Sequence, residues 1–146
     1  MKSLIAYYSR SGNTKFVAEK IAEQLNADLC EVIDKKNREG KLAYLTSGRD
    51  AMREKLTEIE ISKPVEDYDF VVVGSPVWAG KIAPAIRTFL VKNDFSNKQV
   101  AFFVTLGGDK PEKTLQNIKE TIKPKSLVGE LAISKALENK KKQNDK

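Results

Sequence analysis

Ser9, Arg10, Ser11, Gly12, Asn13 and Thr14 crowd one turn of this sequence. They follow the apolar run Ser3-Leu4-Ile5-Ala6-Tyr7-Tyr8, and the helical pattern NTKFVAEKIAEQL begins at Asn13. A helix that starts there offers unpaired backbone N–H groups and the positive end of its dipole. Gly12 lets the backbone come close to a ligand, and Ser9, Ser11, Asn13 and Thr14 add side-chain donors. Together they make a cradle for a dianionic phosphate, built from neutral groups rather than lysines. A plain capped turn is the competing reading, because Ser and Asn favour caps, but one capping residue serves that purpose.

A second stretch, SPVWAGKIAP (75–84), follows the most hydrophobic run of the chain, DFVVVGS. It reads as a loop at the ligand edge. Trp78 is the only tryptophan, and an indole at such an edge is suited to stacking on a flat aromatic ring. Pro76 fixes and Gly80 frees the backbone beside it. The plainer alternative packs Trp78 over the helix that begins near Ala83. A phosphate cradle at the neighbouring strand end favours stacking.

Composition removes several chemistries. The chain has no histidine, and Cys30 is its single cysteine. A histidine-based metal site, a Cys–His pair, a Ser–His–Asp triad and an internal disulfide are therefore excluded. No G-x-x-x-x-G-K-[ST] occurs, and no G-x-G-x-x-G follows the first apolar run, so neither a P-loop nor a dinucleotide fingerprint is present. A phospho-acceptor receiver needs aspartates at the strand ends, where this first strand ends in Tyr7-Tyr8-Ser9. The net charge is +6, and basic residues gather between Asp34 and Lys63. Glu39, Asp50, Glu54, Glu58 and Glu60 interrupt them, so the segment reads as a solvated face and no nucleic acid is expected. No apolar run approaches the roughly 20 residues that span a bilayer. Met1-Lys2-Ser3 leads straight into a strand pattern, and the expected location is cytoplasmic with no membrane contact.

The elements that must position these residues alternate along the chain. Strands are expected at 3–8, 28–33, 69–75, 98–106 and 127–134, the last with a bulge at Gly129. Helices are expected at 13–25, 42–56, 84–92 and 111–122, with Pro84 and Pro111 in first turns. The 42–56 helix carries Leu42, Leu45, Met52 and Leu56 on one side, and Gly48 weakens its middle. Strand and helix in alternation predict an α/β fold with a parallel sheet covered on both faces. Ligands of such sheets sit beyond the carboxyl ends of the strands. At 146 residues, one domain spanning 1–146 is expected, with 138–146 frayed.

S-R-S-G-N-T after the first strand, S-P-V-W-A-G after the third and L-G-G-D after the fourth resemble the three flavin-binding loops of the flavodoxin family. The first loop fits that family's [ST]-x-[ST]-G-N-T signature, and the likeness runs from Lys2 to about Ser134. The basic segment DKKNREGKLAYLTSGRDAMREKL resembles that of short archaeal or clostridial-type members. The resemblance implies a flavodoxin-like three-layer sandwich with a five-stranded parallel sheet in the order 2-1-3-4-5. It implies flavin mononucleotide (FMN) as cofactor. Ser9, Arg10, Ser11, Gly12, Asn13 and Thr14 would then hold the ribityl phosphate. Ser75, Pro76, Val77, Trp78, Ala79, Gly80 and Lys81 would border the ring, with Trp78 on one face. Thr105, Leu106, Gly107, Gly108 and Asp109 would line the pyrimidine side.

Three departures from the family's pattern stand out. LGGDKPEKT (106–114) has no aromatic residue where many members place a tyrosine. The chain is basic where well-known flavodoxins are acidic, and Lys81 falls in a flavin loop, where its charge would favour the reduced cofactor. Nothing after Leu137 is large and apolar. Without a closing amphipathic helix, Val128, Leu131 or Ile133 would be bare, and a homodimer or a tight partner contact is expected at that face. Two functions follow from the resemblance: an electron carrier working with an acidic redox partner protein, and an FMN-dependent reductase of quinone-type acceptors using a nicotinamide donor. No residue stands out as a general acid, base or nucleophile, as expected where a cofactor carries the chemistry.

Overall fold

A computed structural model describes residues 2–36, 41–78, 80–106, 115–116 and 126–134. Five strands form one parallel sheet in the order β2-β1-β5-β7-β8: β1 (Ser3–Tyr7), β2 (Asp28–Glu31), β5 (Phe70–Trp78), β7 (Gln99–Leu106) and β8 (Ser126–Ser134). This is the predicted order once three short strands are set aside. Two of those, β3 (Ile33–Asp34) and β4 (Ile59–Glu60), pair with each other; the third, β6 (Lys81–Ile82), pairs antiparallel with β5. The helices are α1 (Asn13–Leu25), α2 (Lys41–Met52) and α3 (Pro84–Lys92). The chain is therefore a flavodoxin-like α/β fold.

Strand alternation divides the core between the two faces of the sheet. Leu4, Ala6, Val71, Val73, Val100, Phe102 and Val104 point one way and pack with Ala85, Ile86, Phe89 and Leu90 of α3. Ile5, Tyr7, Val72 and Phe103 point the other way, against Val17, Ala18 and Ala22 of α1. Each fully buried Phe or Ile contributes about 1.5–3 kcal/mol relative to exposure. Gly74, opposite Phe103 in the β5–β7 register, leaves room for that ring: a Cβ at Gly74 would land on Phe103 ring atoms.

Several expectations change in the structure. The 28–33 strand ends at Glu31; the Val32 N–H still donates to the Tyr7 carbonyl at 2.7 Å, and the chain then turns to pair Ile33 and Asp34 with Glu60 and Ile59. Stretch 75–84 is not a loop. β5 runs on through Trp78, and a turn at Gly80 (φ +78°) folds it back onto β6. Pro76 fits there because β1 stops pairing with β5 at Gly74, so the strand has an edge free of a parallel neighbour. α2 stops at Met52 instead of Leu56. Its inward side carries buried Ser47, Asp50 and Ala51, while Leu45, Met52 and Leu56 are exposed; the side chain of Leu42 lies outside the described residues.

The expected irregularity at Gly129 is present: the β7–β8 register slips between Val100 and Ala101, so that Leu127 and Gly129 are their partners and Val128 is extra. Leu131 is exposed, as is Val128, whereas Ile133 packs toward α1. Of the predicted 111–122 helix only Leu115 and Gln116 are described, and 138–146 lie outside the described residues. Among the described residues no helix is long and apolar enough to cross a membrane.

Candidate functional site

The carboxyl ends of β1, β5 and β7 converge on the N-terminus of α1. Gly12 caps that helix in the left-handed region, φ +97°, with no side-chain hydrogen bond to the first turn. The serines and Asn13 bond elsewhere: the Gly12 N–H donates to Ser9 Oγ at 3.1 Å, and Asn13 Nδ2 donates to Ser11 Oγ at 3.2 Å. The cap residue, a glycine, has no side chain of its own to bond the first turn. Gly12 is required for its positive φ; a Cβ there would meet nothing within 4 Å.

Thr14 is buried, and its Oγ1 lies 2.8 Å from Thr105 Oγ1. This bond ties the start of α1 to the end of β7, so the first and third predicted loops are brought together. Leu106, like Val77 and Trp78, packs against the core on the other face of the sheet. Burial pushes the Tyr7 phenol up, with Glu31 and Glu19 adding to it, so the end of β1 stays neutral.

Ser75 serves the hairpin. Its buried hydroxyl accepts the Ala83 N–H at 3.0 Å and donates to the Pro76 carbonyl at 2.8 Å, which fixes the entry to α3. Trp78 meets Tyr8 edge to face, with centroids 5.5 Å apart, and the Arg10 guanidinium lies 5.8 Å from the centre of its ring. Arg10 therefore joins the phosphate loop to the indole. Lys81 Nζ donates to Glu54 Oε1 at 3.1 Å, and the other Glu54 oxygen stands 3.6 Å from Arg87 Nη1. Burial lowers the Arg87 pKa and Glu54 opposes that shift. A carboxylate so close offsets much of the Lys81 charge expected beside the ring. Ala79, Gly107, Gly108 and Asp109 lie outside the described residues.

Residues of α2 enter the site that the sequence did not assign to it. Leu45, Gly48, Arg49 and Met52 face Val77 and Trp78 across a cavity of about 430 Å³, which Arg10 also lines. Their spacing of three, four and seven was the available signal.

An α/β sheet of this order, with a tryptophan hairpin and a threonine tie at its strand ends, is a flavodoxin-like fold. The flavodoxin family profile matches residues 2–144, and the chain belongs to the flavodoxin family. A flavoprotein of Lactobacillus acidophilus NCFM, crystallised in complex with FMN, is 28% identical, with a TM-score of 0.76 and 98% of each chain covered. The apo-form of a flavoprotein from the same organism is 27% identical with a TM-score of 0.71, over 94% of this chain and 95% of that one. Oxidised flavodoxin 2 of Bacillus cereus shares the fold, at 22% identity and a TM-score of 0.57, over 92% of this chain and 84% of that one. No curated protein matches the chain.

Proposed function

We propose that this protein binds FMN and carries electrons between redox proteins in the cytoplasm. The observation that carries the reading is the N-terminus of α1, entered through the left-handed Gly12 and fastened to β7 by Thr14 and Thr105. First-turn amides with Ser9, Ser11 and Asn13 nearby fit a phosphate, and the hairpin sets Trp78 beside them for the ring. The likeness to a flavoprotein that holds FMN over 98% of its length supports the assignment. When bound, FMN supplies one- and two-electron chemistry, and the chain's own residues bind it, orient it and limit its contact with water. The net charge of +6 favours an acidic partner, with association that slows as salt rises.

A second reading, an FMN-dependent reductase of quinone-type acceptors, is favoured by the cavity between α2 and Trp78. Acid release and chromatography of the bound flavin test the cofactor: FMN is expected, and recovery of the adenine dinucleotide or of no flavin would overturn it. Anaerobic mixing with NADH or NADPH separates the two functions. A carrier is reduced slowly without a partner protein; rapid direct reduction identifies the reductase.

A further inference from the structure

Glu54 has an unusual backbone for its residue type. Its φ of +55° places a long side chain in the left-handed region; among the described residues the other non-glycine there is Asn26, a type that visits it readily. Such positions persist where their surroundings over-determine them, and they cluster at functional sites. Two elements hold the Glu54 carboxylate. Oε1 accepts from Lys81 Nζ of β6 at 3.1 Å, and Oε2 stands 3.6 Å from Arg87 Nη1 of α3. Arg87 is buried, whereas the side chains of Lys81 and Glu54 are 34% and 45% exposed.

Lys81 is the cross-strand partner of Trp78 in the β5–β6 hairpin. Directly opposed residues of an antiparallel pair project from one face, so the lysine leaves the hairpin on the indole's side. An ammonium free to turn toward a ring at Trp78 would favour the reduced, electron-rich flavin. The Glu54 carboxylate opposes that in two ways: it draws the ammonium to the end of α2, and it cancels the charge at close range. A carboxylate that served the fold alone would need only the buried Arg87. The shorter contact goes to the more exposed Lys81, where an ion pair adds little to stability.

We infer that Glu54 is a positioning residue that sets the reduction potential of bound FMN through Lys81, by holding the ammonium at the end of α2. The inference deepens the FMN reading and rests on it.

Potentiometric titration of the FMN-loaded protein tests it, in wild type, Glu54→Gln, Lys81→Met and the double variant. Glu54→Gln should raise the midpoint potential by at least about 30 mV, a tenfold shift of a two-electron equilibrium. In the Lys81→Met background the same substitution should move the potential less than half as far. Glu54→Asp, which keeps the charge, should stay closer to wild type than Glu54→Gln. Glu54→Gly removes the carboxylate and relieves the left-handed backbone; it should give the same rise, and it carries the test if Glu54→Gln does not fold. An unmoved or lowered potential on loss of the carboxylate overturns the inference. So does an equal shift in the two backgrounds, because the carboxylate would then act by its own field and not through Lys81. A protein that takes up no FMN overturns the cofactor reading and this inference together; FMN uptake with a shift independent of Lys81 overturns the inference alone.

Discussion

Gly74 shows how one residue sets the middle of the sheet. Its position under the Phe103 ring leaves no room for a methyl group, and Phe103 is part of the core between the sheet and α1. Gly74→Ala should cost about 1–3 kcal/mol by overpacking. Adding Phe103→Leu should recover part of that loss, since the two positions are in contact. Urea unfolding of the single and double variants measures both effects; a Gly74→Ala midpoint equal to wild type would contradict the account. Trp78 makes the corresponding claim for the site. Trp78→Ala should weaken FMN binding by about 1–3 kcal/mol, the range for an aromatic stack on a planar base, and unchanged affinity would make the indole a packing residue alone.

Among the elements, α1 and α3 match their expected limits at both ends, 13–25 and 84–92. Their boundaries were written in local chemistry: a glycine before Asn13, and Pro84 at the first helical position. The hairpin at Trp78 was not legible, because Gly74 and Pro76 interrupt the apolar run VVVGSPVW with residues that break strands. The stripe on α2 was legible as a periodicity, but periodicity names a face and not what that face meets.

The end of α2 holds a further device. Glu54 has φ +55°, and the Glu54 and Lys55 N–H groups bond to the Ala51 and Asp50 carbonyls, a helix ending that usually takes glycine. Its carboxylate faces Lys81 and the nearly buried Arg87. Glu54→Gln should cost about 1–3 kcal/mol, because Arg87 loses its counter-charge. Glu54→Gly should be less destabilised than Glu54→Gln by about 1 kcal/mol, through relief of the left-handed backbone. Thermal unfolding of the two variants gives the order, and Glu54→Gly falling below Glu54→Gln would remove backbone strain from the explanation.

At the scale of the whole molecule, pH reaches stability through the contact of Tyr68 with Asp28. The Tyr68 hydroxyl donates to Asp28 at 2.7 Å. That bond, with burial, pushes the phenol from 10 up to about 12, and it lowers the Asp28 carboxyl. The fold therefore prefers the neutral phenol: its contribution is complete below pH 10 and is lost as pH rises from 10 toward 12. Asp28 works in the opposite sense, its contribution fading as pH falls through the carboxylate range. Tyr68→Phe should flatten the alkaline loss relative to wild type in denaturation curves taken across pH 9–12, and parallel curves would contradict the linkage. The sheet order was legible because alternation and the loop motifs agreed; the Tyr68–Asp28 contact was not, because it joins residues that only the β1–β2 and β1–β5 registers bring together.

The central claim is that the amides opening α1 hold a phosphate while Trp78 holds the ring. Titration of the flavin-free protein with FMN and, separately, with riboflavin tests it most directly, because the two ligands differ only in the phosphate. One-to-one binding of FMN is predicted, with riboflavin weaker by at least tenfold, a difference of about 1.4 kcal/mol or more. Equal affinities for the two, or no binding of FMN, would contradict it.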